Sequence, residues 1–514
     1  MLILVTCLFL FITAFALVIL RVFQPTARYG WMLASSGALF AFIGTILWLG
    51  RLPMVFALPV WQPVTLFPTP IMFQADGVTY PLALSIAALT LATLLTAVTR
   101  PVFTNSPSWA GILILGGLGI LAVTANNPLT LLLIWGLLDL AELFSQLIVV
   151  KGRQNNESVV ISFAMRAMGI GLLLWANVTG SVNGVVFDFQ SMPANATIYL
   201  ILAAGLRLGV FPLNLPYSPD SNLRRGFGTA LRLVGAASSL SILGRITEPV
   251  SSFTPILILL AMIAALYGGW MWLRAPEELS GRPYWMIGMA SLAVLSALSG
   301  NSIGAVAWAT ALVLAGGMLF LFSVPHPLLN RIIPIGVWGL SSLPLSMTAS
   351  AWLGNLNLFV PFMLAAQALL AAGFIRHALR TPSGSMLESQ PGWAQILYPA
   401  GNMILFIVLV LLGLIGWDGA FRFGGLVLAL IASLLALGLV WASRRFRIFN
   451  PARAHWVNSA GTGVNNIYQG LWSLYRGLAR VAQAVAQALE GEGGIMWTLL
   501  FLVLFVIIVA QGIQ

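Results

Sequence analysis

The chain has 514 residues, of which 60% are hydrophobic and only 7% are charged. A soluble protein carries roughly a quarter charged residues because its surface faces water, so this composition excludes a water-soluble globular protein. The net charge is +11, and Lys151 is the only lysine, so the basic residues are nearly all arginine.

About fifteen or sixteen apolar segments have the length of a membrane-spanning helix, which is roughly twenty residues. In chain order they are Leu2–Leu20, Trp31–Gly50, Leu82–Val98, Trp109–Thr124, Leu129–Val150, Val159–Val178, Ile198–Leu213, Gly228–Leu243, Pro255–Leu273, Tyr284–Leu298, Ile303–Val324, Ile332–Ser350, Leu358–Ile375, Ile404–Trp417, Gly424–Trp441 and Ile495–Ala510. The first lacks a basic region before it and a cleavage pattern after it, so it is read as a retained helix. The sequence therefore predicts an all-α polytopic membrane protein.

Positive charge alternates between the connections that join these segments. The odd-numbered connections hold most of the arginines, from Arg21 in the first to the group Arg444–Arg453 in the fifteenth. The even-numbered connections hold only Arg51, Arg245 and Arg422. Because positive loops stay on the cytoplasmic side, the pattern predicts a bacterial cell (inner) membrane protein with its N-terminus outside. It also accounts for the basic balance without a nucleic-acid partner.

One segment near the C-terminus is amphipathic rather than spanning. Apolar residues recur at three- and four-residue spacing from Ile467 to Leu489, with Arg476 and Arg480 on other faces. This pattern predicts a helix that lies along the membrane surface or along a neighbouring protein.

Together these patterns divide the chain into consecutive parts. They are N-terminal transmembrane helices at 1–108, a first helix repeat with the buried charges at 109–247, a second helix repeat without buried charges at 248–380, two further transmembrane helices and a cytoplasmic loop at 381–462, the amphipathic surface helix at 463–490 and a C-terminal transmembrane helix at 491–514.

Five charged residues lie inside predicted spans, where charge is costly and commonly functional. They are Asp139, Glu142, Arg166, Arg207 and Arg232. One interpretation is a charged axis that moves ions between helices. The other is a fixed ion-pair network, which the arginines favour because a guanidinium does not deprotonate in proteins. In either case an isolated mid-membrane carboxylate is expensive, so Asp139 is predicted to pair with Arg207.

The seventh segment is irregular, because it contains Gly205, Gly209 and Pro212. Proline removes a backbone donor and interrupts a helix. Pro212 is therefore predicted to break this helix, and broken helices at membrane depth commonly line ion sites. An ordinary helix end before a loop is the alternative.

Several short motifs resemble the antiporter-like subunits of respiratory complex I, membrane-bound hydrogenases and multisubunit cation/proton antiporters. The resemblance covers the chain roughly from Asp76 to Arg380. The stretches that carry it are Phe73–Gly77, Leu133–Leu138, Arg207 with Phe211–Leu213 and Pro219–Asp220, and Gly281–Tyr284. The surface helix followed by a last spanning helix resembles the distal subunit of that group. The resemblance implies inverted helix repeats, other membrane subunits as partners, and quinone-reactive or redox subunits as indirect ones.

The chain departs from that family where the family's titratable residues stand. The fifth-helix glutamate is Gly136, the seventh-helix lysine is Arg207, and the eighth-helix lysine or histidine falls at or beside Arg232. A later lysine falls at about Gly316, and the histidine after the seventh-helix proline is Asn214. The resemblance thus implies a preserved scaffold from which the lysine proton relay is lost.

Three functions are weighed. The first is an antiporter-like membrane-arm subunit of a complex I-type, NADH-quinone oxidoreductase or related assembly, with altered ion translocation or structural coupling. It would be at most a non-redox subunit of a proton-translocating oxidoreductase, with no cofactor, metal or catalytic residue of its own. The second is a stand-alone or two-component ion or anion transporter. The third, a membrane enzyme acting on lipid or quinone, has no nucleophile triad, metal cluster or phosphate loop to support it.

Overall fold

The structure is a computed structural model that describes residues 1–24, 29–59, 70–99, 106–149, 153–180, 188–189, 193–213, 225–246, 253–354, 358–380, 382, 387, 390–415, 417–446 and 473. The chain forms two compact units, Met1–Trp441 and Ala442–Gln514. Apart from Ser473, the predicted surface helix at 463–490 and the last span at 491–514 lie outside the described residues.

Within the described residues the chain forms fifteen α-helices. They are α1 (Leu2–Phe23), α2 (Gly30–Trp48), α3 (Tyr80–Thr96), α4 (Ser106–Thr124), α5 (Pro128–Val149), α6 (Arg153–Gly180), α7 (Ala194–Arg207), α8 (Arg225–Leu240), α9 (Thr254–Arg274), α10 (Glu278–Leu298), α11 (Ser302–Leu321), α12 (Pro327–Ile335), α13 (Val360–Ala378), α14 (Gly392–Leu414) and α15 (Leu426–Phe446).

The all-α polytopic fold class is confirmed. Twelve of the helices in the described ranges are long and apolar enough to cross a membrane, and α7, α10 and α12 are not among them. The total of fifteen or sixteen crossings stays a prediction, as do the domain boundaries and the inverted repeats. The sequence also gave no indication of a small antiparallel hairpin, β1 (Met54–Ala57) with β2 (Met72–Ala75).

Three helices form the centre of the bundle. α3, α8 and α11 are almost wholly buried, whereas only 33% of the residues of the α6 span and 22% of those of the α15 span are buried. Helices packed in lipid approach most closely where small residues meet. Between α9 and α10, a Cβ added to Gly268 would lie 2.6 Å from the backbone nitrogen of Gly288, so a larger residue there would push the two helices apart.

Contacts between helix ends agree with the alternation of the connections. Among the odd-numbered connections, Arg225 at the start of α8 donates to Glu278 at the start of α10, and Arg376 near the end of α13 donates to the carbonyl of Leu273 near the end of α9. On the even side, Arg245 after α8 pairs with Asp76 before α3 at 2.8 Å. Each pair therefore joins two odd-numbered or two even-numbered connections. This is expected when consecutive helices run in opposite directions, because connections of the same kind then lie at the same end of the bundle.

The predicted break in the seventh helix is present, but Gly209 makes it rather than Pro212. α7 ends at Arg207, and Gly209 adopts the left-handed conformation with φ of 74°. The amide of Gly209 donates to the carbonyl of Leu206, and the amide of Val210 donates to the carbonyl of Gly205. This pair of bonds is a Schellman motif, so the helix has already ended before Pro212.

The predicted span Ile332–Ser350 is wrong, because the twelfth helix is also interrupted. α12 ends at Ile335, a 3₁₀ turn covers Gly336–Leu340, and the next helical turn begins only at Ala349. Pro334 and Gly336 weaken the α-helix here. Ser342 and Leu345 then adopt positive φ values of 56° and 65°, which no continuous helix accommodates.

A neutral hydrogen-bond cluster stabilises the interruption of α12. Gln367 of α13 donates to the carbonyl of Leu340 at 2.8 Å and to the hydroxyl of Ser342 at 3.0 Å. Its amide oxygen accepts from the indole of Trp352 at 3.2 Å. The side-chain amide of Gln367 thus forms hydrogen bonds with buried groups on both sides of the interruption.

Replacing Gln367 by Leu is expected to destabilise the protein strongly, because a buried polar group left without a partner costs about 1–3 kcal/mol. The unfolding temperature in detergent measures the effect. Gln395→Leu is the matched control, since Gln395 is half-buried and donates to the carbonyl of Gln390. Equal shifts for the two variants would contradict a special role for Gln367.

Candidate functional site

The five charged residues predicted inside the spans lie together, buried between α5, α6, α7 and α8. α5 supplies Asp139 and Glu142, which share a helix face because they are three residues apart. α6 supplies Arg166, the last residue of α7 is Arg207, and α8 supplies Arg232. All five side chains are buried, so each charge needs a compensating partner within the bundle.

The predicted pairing of Asp139 with Arg207 is confirmed. The two terminal nitrogens of Arg207 donate to the two carboxylate oxygens of Asp139, each at 2.7 Å. Such a two-bond pair fixes orientation as well as distance. The exposed fractions are only 2% for Asp139 and 3% for Arg207, so water screens the pair weakly.

The rest of the Arg207 side chain is also held in place. Its Nε donates to the hydroxyl of Ser239 at 3.1 Å, and one terminal nitrogen also donates to the carbonyl of Arg166 at 3.2 Å. The guanidinium lies 4.1 Å from the ring centroid of Trp135. A Cβ added to Gly169 of α6 would come within 2.5 Å of the Arg207 Cγ, so glycine there makes room for the arginine.

Glu142 is shared between two arginines on different helices. Arg166 donates to one carboxylate oxygen, and Arg232 donates to the other at 2.7 Å. Gln146, one turn further along α5, also donates to Glu142 at 2.6 Å. Arg166 reaches towards the first pair as well, with its Nε 3.8 Å from Asp139. The two carboxylates and three guanidinium groups therefore form one connected network.

The five charged residues line a small cavity of about 20 Å³, which is room for about one water molecule. Its charged and polar lining comprises Asp139, Glu142, Arg166, Arg207, Arg232 and Ser239, and the remaining lining is apolar apart from the backbone of Gly235.

Sequence reasoning missed three neutral partners of these charges, Trp135, Gln146 and Ser239, and the neighbour Ser238 that holds Trp135. Ser238 and Ser239 lie on α8, where the Ser238 carbonyl accepts from the Trp135 indole at 3.2 Å. The spacing of Trp135, Asp139, Glu142 and Gln146 at four, three and four residues marks one face of α5 and could have identified two of them.

The prediction that the second repeat carries no buried charge is wrong for Arg282. The predicted spans Pro255–Leu273 and Tyr284–Leu298 place this residue in the connection between them, but α10 begins at Glu278 and includes it. Its exposed fraction is 0%, and it donates to the hydroxyl of Thr229 on α8 at 3.0 Å. The apolar segment that follows concealed this early start of the helix. Arg282 does not line the cavity.

Within the described residues there is no group of three histidine, cysteine or acidic side chains that could hold a metal ion. The expectation that the chain binds neither metal nor cofactor stays a prediction.

Asp139→Asn is expected to lower stability by about 3–5 kcal/mol, because it leaves a buried guanidinium without its carboxylate. The double variant Asp139→Asn with Arg207→Gln removes both charges and should recover much of that loss. Thermal unfolding in detergent measures both, with exposed Asp418→Asn as the control. A double variant no more stable than the single one would show that the two residues are not energetically coupled.

No family model matches the sequence, and no curated protein matches it significantly. Solved structures do match. A chain of the Mrp complex from Dietzia sp. has a TM-score of 0.67 at 14% identity over 95% of this chain, which spans 63% of that chain. A chain of the membrane-bound sulfane sulfur reductase, an archaeal respiratory membrane complex, has a TM-score of 0.66 at 15% identity over 98% of this chain and 99% of its own. A chain of respiratory complex I from Thermus thermophilus has a TM-score of 0.63 at 18% identity over 86% of this chain and 100% of its own. The protein therefore has the fold that the membrane subunits of these three complexes share.

Proposed function

We propose that the protein is an antiporter-like membrane-arm subunit of a complex I-type assembly, in which the charges of α5–α8 form a fixed network that couples helices mechanically. The shared fold supports this, because all three matching structures are multisubunit membrane complexes. Iron–sulfur, quinone-reactive or other redox subunits would be indirect partners.

The pairing of the two buried carboxylates is the observation that carries the proposal. Asp139 is held by Arg207, and Glu142 is held by Arg166 and Arg232. A lysine ammonium changes its pKa readily when buried and can give up a proton, whereas a guanidinium stays charged. A network in which every cation is arginine orients its carboxylates but does not pass protons between its cations.

A second candidate function is an ion or anion transporter that works alone or with one partner. The three arginines around two carboxylates favour it, because they make the site net positive. Purification in mild detergent separates the two candidates. Stable co-purification of redox subunits supports the membrane-arm subunit, and a chain that purifies alone favours the transporter.

For the membrane-arm subunit, we expect the Asp139→Asn, Arg207→Gln double variant to leave proton transport unchanged. The purified complex is placed in vesicles, and a pH-sensitive dye follows proton movement under an imposed potential. Asp418→Asn is the control, and size-exclusion chromatography checks that each complex is intact. An intact complex that loses its proton flux only in the double variant would show that Asp139 is a transport residue.

For the topology, the proposal is a bacterial inner-membrane protein with its N-terminus outside. Reporter fusions after Arg153 and after Asp188 flank α6 and should therefore report opposite sides, with the Arg153 side cytoplasmic. The same side for both would refute α6 as a crossing, and exchanged sides would invert the orientation.

A further inference from the structure

Two neighbouring helices, α9 and α13, each leave one face uncovered by the rest of the bundle. The exposed and half-buried residues of these faces recur at intervals of one or two helical turns. They are Ile256, Leu260, Ile263, Tyr267, Trp270 and Arg274 on α9, and Phe362, Ala365, Leu369, Arg376 and Arg380 on α13 or directly after it. We call these two rows the α9–α13 strip. Each row is largely apolar and ends in arginine.

The two rows of the α9–α13 strip lie side by side. A Cβ added to Gly269 of α9 would lie 3.0 Å from the Cβ of Leu369 on α13, so the helices approach closely at this level. Arg376 donates to the carbonyl of Leu273 near the end of α9. The arginine ends of both rows therefore meet at the end of the bundle that holds the odd-numbered connections.

The arginines at this end are held by carbonyl and aromatic groups. Arg380 donates to the carbonyl of Pro276, just after α9. The guanidinium of Arg274 lies 5.8 Å from the ring centroid of Trp270, one turn back along the helix. Its charge therefore lies over the exposed apolar face of α9. Tryptophan is enriched at the depth where lipid headgroups begin, which places Arg274 beside the headgroups.

Two of these cations are open to an anion. Among the residues that the structure describes, neither Arg274 nor Arg380 has a carboxylate within ion-pair distance. The two acidic residues that follow Arg274 are used by α10. Glu278 pairs with Arg225 at 2.6 Å, and the side chain of Glu277 caps the start of α10.

We propose that the α9–α13 strip binds one anionic phospholipid, with its phosphate at Arg274 and Arg380 and an acyl chain along the apolar rows. From Ile263 to Arg274, α9 rises about 16 Å at 1.5 Å per residue. This length is close to half of the roughly 30 Å hydrocarbon core, so it fits an acyl chain of one leaflet. Guanidinium groups bind phosphate oxygens through paired, charge-assisted hydrogen bonds.

The charge and the shape of the strip together select this ligand. A free phosphate ion would satisfy the arginines but would leave the apolar rows unused. A neutral membrane helix would cover the rows but would bring no charge for Arg274 and Arg380. In the proposed topology this end of the bundle is cytoplasmic, and the cytoplasmic leaflet carries anionic lipids. The strip contains no residue of the α5–α8 network, so a result on the lipid leaves the proposed function untouched.

Thermal unfolding in lipid nanodiscs tests the binding. The purified full-length protein, in its complex, is placed in phosphatidylcholine with increasing amounts of phosphatidylglycerol. A ligand that binds only the folded state raises the unfolding temperature by mass action, so we expect a saturating rise of a few degrees. No rise would overturn the proposal. An equal rise with inorganic phosphate in phosphatidylcholine alone would show that the site takes the free ion and would refute the lipid.

Variants of the arginines locate the effect. Arg274→Gln with Arg380→Gln should abolish the rise with phosphatidylglycerol. Arg274→Gln alone should weaken it, and this variant keeps the bonds of Arg376 and Arg380 to the end of α9. Arg331→Gln is the matched control, because Arg331 is an exposed arginine of α12, outside the strip. A rise that persists in both test variants, or that is lost equally in the control, would refute the site.

Photo-cross-linking identifies what covers the apolar rows. Ile263 is replaced by photo-leucine, and the complex is irradiated in nanodiscs that contain phosphatidylglycerol. Mass spectrometry should find phosphatidylglycerol attached at position 263, and the attachment should fall at least several-fold when Arg274→Gln and Arg380→Gln are added. A cross-link to another protein chain would show that a neighbouring subunit covers the strip. That result, or lipid attachment that does not change in the double variant, would overturn the proposal.

Discussion

The two-bond contact between Asp139 and Arg207 is the interaction on which the charged core depends. A lone carboxylate or a lone guanidinium at this depth is expensive, and a pair repays that cost only with good geometry and further hydrogen bonds. The further hydrogen bonds go to the Arg166 carbonyl on α6 and the Ser239 hydroxyl on α8, and the ring of Trp135 on α5 adds a cation–π contact. Satisfying one ion pair therefore fixes the relative positions of four helices.

The way in which α7 ends also positions Arg207. The Schellman motif at Gly209 ends the helix so that Arg207 occupies its last turn. A cation in the last turn is favoured by the helix dipole. The Gly169 position on α6 gives the arginine stem room to pass. Arginine at position 207 thus fits the surroundings, because only a planar guanidinium can bind both oxygens of Asp139 and stack on Trp135.

Much of this could be predicted from the sequence, and the failures have identifiable causes. Hydropathy indicated most of the spans because each is a continuous apolar segment. The energetic cost of a buried charge led to the prediction that Asp139 pairs with Arg207. The backbone conformation was harder to predict from the sequence. Proline is a known helix breaker, so the break was predicted at Pro212, although the helix already ends at Gly209. The interruption of α12 was missed because its residues are apolar enough to read as one span, and the role of Gln367 depends on residues far away in sequence.

The two interrupted helices satisfy their broken ends with different chemistry. Backbone amides close the end of α7, where the side chain of Arg207 forms a charged pair, whereas at the end of α12 the amide of Gln367 and the hydroxyls of Ser342 and Thr348 are neutral. A neutral cluster needs no counter-charge, so its hydrogen bonds alone hold the break. The charged cluster gains stronger bonds but must balance its net charge within the apolar bundle. Removing one charge of the cluster therefore leaves an oppositely charged partner without its counter-charge, a cost that does not arise at the neutral α12 interruption.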